Sequence, residues 1–274
     1  AVMSRLYRRT ETEMLRERCA KLEREVECLR RKSLSKLKLA AEVHRSLLPK
    51  PVRHERIWID GRYSPIEEVG GDYCQVCFPD PHSCYLTICD VTGHGVGPAL
   101  LATRISSEVR YAVTQRREPR DIVRLLERFL HAYFDNPELL LSFVAVRIEF
   151  ESMTLTWSGA GHPSPLLFRF AGRTVRALSS QNPLIGLSRP DEDQFQQDTI
   201  PIQSGDRLFL FTDGLIEVFD AEDQVLGPGN LVDAVKAAGD CDLFELVDRL
   251  FQAVAIRQHG PNLDDQTLVA AEIR

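Results

Sequence analysis

Apolar positions in the first fifty residues recur at heptad spacing. Leu15, Cys19, Leu22, Val26 and Leu29 step 4-3-4-3, and Leu34, Leu37, Ala41, His44 and Leu48 step 3-4-3-4. Residues 4–48 hold no Gly or Pro and are rich in Leu, Glu, Arg and Lys, so the spacing predicts one long helix with a coiled-coil seam. The five-residue step from Leu29 to Leu34 puts the stripes out of phase, so a coiled coil crossing it must change its winding or shift its stripe. The first stripe is expected to pair two chains as a homodimer, the second to turn onto the following domain. Pro49 and Pro51 stop the helix. The expected division is 1–48 as coiled-coil and linker helix, and 49–274 as a separate domain.

Beyond Pro51 the pattern changes to short period-two runs mixed with two clear helical segments and further shorter ones. Strands are expected at Trp58–Tyr63, Tyr73–Phe78, Ser83–Cys89, Phe143–Glu149, Thr154–Ala160, Leu166–Arg169, Arg207–Thr212 and Gln266–Ile273. Helices are expected at Pro98–Gln115, Pro119–Phe134 and Leu243–Ile256, with a shorter one near Gly229–Ala237. Strands cluster in hairpin-like pairs and helices come in blocks. That favours an α/β arrangement of antiparallel sheets with helices packed outside over a parallel βαβ alternation.

Charge divides the chain at the same place. The net charge of −6 over 274 residues resolves into +7 for residues 1–50 and −13 for the remainder. An acidic body repels nucleic acid and suits cations or basic partners. The basic run Arg30-Arg31-Lys32 has no aromatic interleaving and no DNA-binding pattern, so it reads as a solvated helix face. No run approaches the ~20 apolar residues of a membrane span and no signal peptide opens the chain, so a cytoplasmic protein without membrane or nucleic-acid partners is expected. Seven Cys without a framework spacing argue against a disulfide scaffold. Cys74 and Cys77 form a C-x-x-C, but within a strand pattern and with no matching second pair, so buried small hydrophobes are a better reading than zinc or redox chemistry.

The carboxylates are more informative. Asp72 follows Gly70-Gly71 directly before a strand, and Asp90 ends the apolar run from Tyr85 and enters Val91-Thr92-Gly93-His94-Gly95. Asp213 ends Leu208-Phe209-Leu210-Phe211-Thr212, and Asp264-Asp265 precede the last strand. Singly, each is the ordinary Asp of a turn. Together, at strand ends able to converge on one cleft, four carboxylates repel one another and resist ionisation without cations. Hard divalent ions want such oxygen ligands, and neighbouring glycines let the backbone come close. The spacing points to a carboxylate-ligated metal hydrolase.

Six strings in order then resemble the SpoIIE/RsbU-type branch of the PPM metal-dependent serine/threonine protein phosphatases. They are Ser46-Leu-Leu-Pro49, Glu68-Val-Gly-Gly-Asp-Tyr73, Cys89-Asp-Val-Thr-Gly-His-Gly95, Ser158-Gly-Ala-Gly-His-Pro163, Phe211-Thr-Asp-Gly-Leu215 and Asp264-Asp-Gln-Thr267. The resemblance covers about 42–274. It implies a PPM-phosphatase-like sandwich of two antiparallel β-sheets flanked by helices, with two manganese or magnesium ions at one edge. By this resemblance Asp90 bridges the two metals, the carbonyl of Val91 is the backbone ligand beside it, Asp213 and Asp264 complete one metal, and Asp72 serves the other directly or through water. Asp265 is expected to stabilise the turn before the last strand. A hydroxide held between the metals would attack phosphoserine or phosphothreonine in line, with Asp90 and Asp72 in the catalytic set.

The proton for the leaving oxygen has two sources, a metal-bound water or a nearby acid. His94 is the candidate acid, being close to Asp90 in sequence; its other reading is as the residue holding the Gly93–Gly97 turn. In related eukaryotic-type phosphatases the His follows the bridging Asp by two residues, and Thr92 stands there in this chain. His162 either faces the cleft or holds a turn between two strands; the resemblance places it where other branches carry an Asp for an optional third metal. Two departures stand out. Gln75 replaces a second acid, and His44 stands where Gln is usual before Leu-Leu-Pro.

The resemblance further implies a phosphoprotein substrate of the anti-sigma-factor-antagonist kind, in a stress-response signal-transduction setting. An upstream sensor or activator is expected to act on the N-terminal helix. Two competing readings are a weak or inactive PPM-fold scaffold that binds a signalling partner, and a coiled-coil module whose body merely stabilises the dimer.

Overall fold

The computed structural model describes residues 2–48, 50–134, 136, 138–187, 195–237 and 241–274, with side chains described outside 2–13 and 32–36. The chain divides into two compact units, Ala1–Val43 and His44–Arg274. Helix α1 spans Val2–Arg45. It ends three residues before the expected Leu48: Leu47 and Leu48 close a turn by donating their amides to the carbonyls of His44 and Arg45. The heptad positions Leu15, Leu22, Val26 and Leu29 stand 48–65% exposed, so the seam lies open along α1. The side chain of Leu34 and all of Pro49 lie outside the described residues.

The second unit is built on two antiparallel sheets. Its strands are β1 (Val52–His54), β2 (Ile57–Ser64), β3 (Tyr73–Asp80), β4 (Ser83–Val91), β5 (Leu141–Glu149) and β6 (Thr154–Ala160), followed by β7 (Leu166–Arg169), β8 (Thr174–Ala177), β9 (Asp198–Pro201), β10 (Arg207–Phe211) and β11 (Gln266–Ile273). Among the described residues one sheet runs β1-β2-β11-β10-β7-β8 and the other β3-β4-β5-β6-β9. Helices α2 (Val96–Thr114) and α3 (Pro119–Tyr133) pack on the second sheet, and α4 (Gly227–Ala237) and α5 (Leu243–Arg257) on the first.

Alternation along the strands makes this layering. In β10, Leu208 and Leu210 enter the core between the sheets, while Phe209 and Phe211 join the core beneath α4 and α5. In β4, Leu86 and Ile88 face the inter-sheet core and Tyr85, Cys89 and Val91 face α2 and α3. Both faces of both sheets are therefore covered, which is why these strands read as nearly continuous apolar runs. Helix α3 meets its sheet through Ile122, Val123, Leu126, Phe129 and Leu130, one stripe at helical spacing.

The expected fold class holds, and β6, β7 and β11 fall on their expected bounds. Three strands were not foreseen: β1, β8 and β9. Each is an edge strand, short and polar on the exposed side, so no apolar alternation marks it. The C-x-x-C behaves as expected: Cys74 is buried, Cys77 half-buried, and both are free thiols.

The inter-sheet core predicts a measurable cost. Ile88→Ala, at a fully buried position of β4, is expected to lower stability by about 2–5 kcal/mol. Urea unfolding should show a lower midpoint with an unchanged slope.

Candidate metal centre

Strand register brings the acidic strand ends together. In the second sheet Tyr73 pairs with Cys89, so Asp72, just before β3, lies beside Asp90 near the end of β4. In the first sheet Phe211 pairs with Leu268, so Asp213, just past β10, lies near Asp264, just before β11. The two sheets meet at this end. The hydroxyls of Thr212 and Thr267 both donate to Oδ2 of Asp72, at 2.8 and 2.5 Å. The Thr267 amide in turn donates to the Thr212 hydroxyl at 3.0 Å.

Asp265 fastens the loop that carries Asp72. Its Oδ1 accepts the Ile66 amide and its Oδ2 the Gly71 amide, each at 2.9 Å. The expectation that Asp265 stabilises its own turn is thereby corrected: its own amide is held by Asp264 Oδ1, while its carboxylate reaches a loop nearly 200 residues away. Gly70 and Gly71 are required by proximity. A Cβ on Gly71 would sit 2.5 Å from the Val91 carbonyl oxygen, and one on Gly70 1.6 Å from Asp265 Oδ2.

Like charge gathered in a partly dry place shows in the protonation equilibria. Burial and then the nearby Asp90 carboxylate hold the Asp72 carboxyl well above the usual range. Burial, followed by Asp213 and Asp264, pushes Asp90 up to about 7. Burial raises Asp213, with Asp264 and Glu217 adding to it, and burial also raises Asp264. Buried carboxyls that resist ionisation are groups a cation stabilises. Asp213 Oδ1 is buried without a hydrogen-bond partner, an oxygen left for a ligand of opposite charge. Among the described residues no three His, Cys, Asp or Glu side chains stand close enough together to form a metal cage as placed.

The two histidines differ. His94 is exposed, its Nδ1 2.8 Å from Glu67 Oε1, a partner 27 positions away that no motif marks. His162 is buried. Its Nδ1 lies 2.7 Å from the Ser142 hydroxyl, and Ser142 pairs across the sheet with Asp90. Burial lowers His162 to about 3, so it is neutral at physiological pH. Gln75 is buried in β3 opposite Thr87, on the face that Tyr73 turns toward α2 and α3. His44 is buried with its ring centroid 5.4 Å from that of Tyr63, and burial lowers its pKa.

A family model described as stage II sporulation protein E (SpoIIE) matches residues 80–274. The chain belongs to this family. Phosphoserine phosphatase RsbP of Bacillus subtilis (strain 168) is 24% identical over 242 residues, which is 87% of this chain and 58% of RsbP. The chain thus spans little more than half the length of that curated relative. Among solved structures, the SiaA-PP2C domain of Pseudomonas aeruginosa superposes with a TM-score of 0.79 at 19% identity, covering 90% of this chain and 99% of that one. The catalytic domain of the serine/threonine protein phosphatase PstP, solved in complex with 2 manganese ions, gives 0.54 at 15% identity, covering 80% and 98%. At these identities the structural likeness shows that the SpoIIE-family chain shares their fold.

Two outcomes test the centre. Asp265→Asn turns an NH2 group toward one of two backbone amides, and is expected to cost about 1–3 kcal/mol. It should also speed hydrogen exchange at the Ile66 and Gly71 amides. The second concerns pH. Asp90 titrates near 3.9 when unfolded and at about 7 when folded. Its raised folded value leaves stability intact below pH 4 and erodes it as pH rises to 7. In chelator, Asp90→Asn is expected to be more stable than the parent above pH 7 by about 2–4 kcal/mol. That difference should vanish near pH 4; a difference independent of pH would contradict it.

Proposed function

We propose that this chain is a metal-dependent phosphatase acting on phosphoserine or phosphothreonine of a regulatory protein. The observation that carries the reading is the convergence of Asp72, Asp90, Asp213 and Asp264 at one end of both sheets, with their carboxyls raised by burial and mutual repulsion. In this reading Asp90, the carbonyl of Val91, Asp213, Asp264 and Asp72 would together hold two divalent cations. The donors are all hard oxygens, which suits manganese or magnesium. Once bound, these ions would supply Lewis acidity toward the phosphoryl oxygens and an acidified water.

The chain's own residues do the rest. Thr212 and Thr267 fix one oxygen of Asp72, leaving the other for Asp90 or an ion. Gly71 leaves the Val91 carbonyl unobstructed. His94, held at Nδ1 by Glu67, keeps its second ring nitrogen to protonate the departing serine oxygen. His162, buried and neutral, braces the strand end opposite Asp90 through Ser142 and carries no proton in the reaction.

The substrate in this reading is a phosphoprotein of the anti-sigma-factor-antagonist kind, a choice supported by the family and by the relative named phosphoserine phosphatase. The exposed stripe of Leu15, Leu22, Val26 and Leu29 supports homodimerisation through α1, with an upstream sensor or activator acting on that helix. Seven free thiols suit a reducing, cytoplasmic setting. No described helix is long and apolar enough to cross a membrane.

The test is hydrolysis of p-nitrophenyl phosphate by the full chain with manganese or magnesium. Asp90→Asn is expected to lower kcat/KM by about 10²-fold or more, since even groups one step removed from a metal are worth 10- to 100-fold. Hydrolysis equal in parent and variant would replace this reading with that of a binding scaffold.

A further inference from the structure

Beside the carboxylates lies a cleft of about 600 Å³ that the reaction described above does not use. It is lined by Glu217, Phe219, Asp223, Val225, Leu263 and Asp264 among others and, among the described residues, by no lysine or arginine. Three of these, Phe219, Val225 and Leu263, are large apolar side chains left 36%, 53% and 65% exposed around a single opening. Apolar groups gathered at one rim mark a surface made to be covered.

The walls are built before any ligand arrives. One wall is a hairpin closed by Leu226 donating to the Val218 carbonyl at 2.9 Å and Asp220 to that of Gln224 at 3.0 Å. Oδ1 of Asp220 accepts the amides of Glu222 and Gln224 inside it. The opposite wall is tied by the Gln258 side chain, which donates to Asn262 Oδ1 at 2.6 Å. The His259 amide joins the walls, donating to the Phe219 carbonyl at 2.7 Å. The cleft is also continuous with the centre. Asp264 belongs to both, and the Glu217 amide donates to the Asp213 carbonyl at 2.7 Å.

We propose that this cleft is the specificity subsite for the polypeptide flanking the phosphorylated residue, and that it takes a segment carrying a basic side chain next to an apolar one. The occupant follows from charge and surface. Glu217 and Asp223 offer two exposed carboxylates against one exposed histidine, His259, and no lysine or arginine among the described lining residues, and the Phe219–Val225–Leu263 rim offers the apolar complement. The proposal rests on the phosphatase reading, because it names what that activity selects.

The experiment uses the full chain with manganese and phosphoserine peptides of one length, differing only at positions flanking the phosphoserine: Arg-Leu, Glu-Leu or Arg-Ser. Arg-Leu is expected to exceed Glu-Leu in kcat/KM by about tenfold at low salt, equivalent to about 1.4 kcal/mol. Arg-Ser should fall between them, and the Arg-over-Glu ratio should shrink as salt screens the exposed charges. Asp223 sits at φ 55, a conformation Asn also accepts, so Asp223→Asn should reduce the ratio and Asp223→Lys bring it to one or below. Because the readout is a ratio between peptides, loss of folded protein cannot mimic it. Equal rates for the three peptides, or a preference untouched by Asp223→Lys, would overturn the subsite while p-nitrophenyl phosphate hydrolysis persists. Loss of that hydrolysis in the parent chain would instead overturn the phosphatase reading.

Discussion

One buried carboxylate holds this structure's working end together. Asp72 is almost fully enclosed, and a carboxyl buried there is tolerable only if its oxygens find hydrogen-bond partners. Two threonine hydroxyls, one past β10 and one in β11, satisfy Oδ2, and they belong to the sheet opposite the one Asp72 introduces. The bond set that satisfies the buried carboxyl is thus the same one that joins the sheets at that end. Asp213 and Asp264 ride on the chain segments beside those threonines. Asp90 rides on the strand paired with β3. Placing Asp72 fixes where all of them stand.

The same economy explains why the site is electrostatically unfavourable by itself. Asp265 accepts two amides, whereas Asp90 faces the carboxylates of Asp213 and Asp264, and Asp213 those of Asp264 and Glu217. The body's surplus of −13 is in part this deliberate shortfall, concentrated at one edge rather than spread over a surface.

Much of this was legible in the sequence because the strong signals were local. Long apolar strands such as β4 and β11 announce themselves, and Asp beside Gly at their ends marks the chemistry. The edge strands β1, β8 and β9 left no trace, since an edge needs no second apolar face. Thr212 and Thr267 lay inside recognised strings, yet spacing cannot say that both hydroxyls meet one oxygen 140 and 195 positions away. Asp265 reads as a turn residue for the same reason: a carboxylate's nearest amides in sequence are the visible ones, while its partners Ile66 and Gly71 arrive through folding. His162 was ambiguous between cleft and turn because a Gly-His-Pro turn looks the same from either side. What folding adds is its burial and the contact of its Nδ1 with Ser142.

The loop after Asp90 shows how narrow the tolerance is. Behind the Val91 carbonyl stands Gly71, with no room for a side chain, and in front the chain enters α2 through Gly93 and Gly95 at φ 90 and 87. Residues with a Cβ adopt such angles at a cost, so the turn is one that few other sequences could make. Gly71 is itself pinned by Asp265, and Asp265 by its place before β11. The Val91 carbonyl, Gly71 and Asp265 thus form one close-packed series running from the approach to α2 to the start of the last strand.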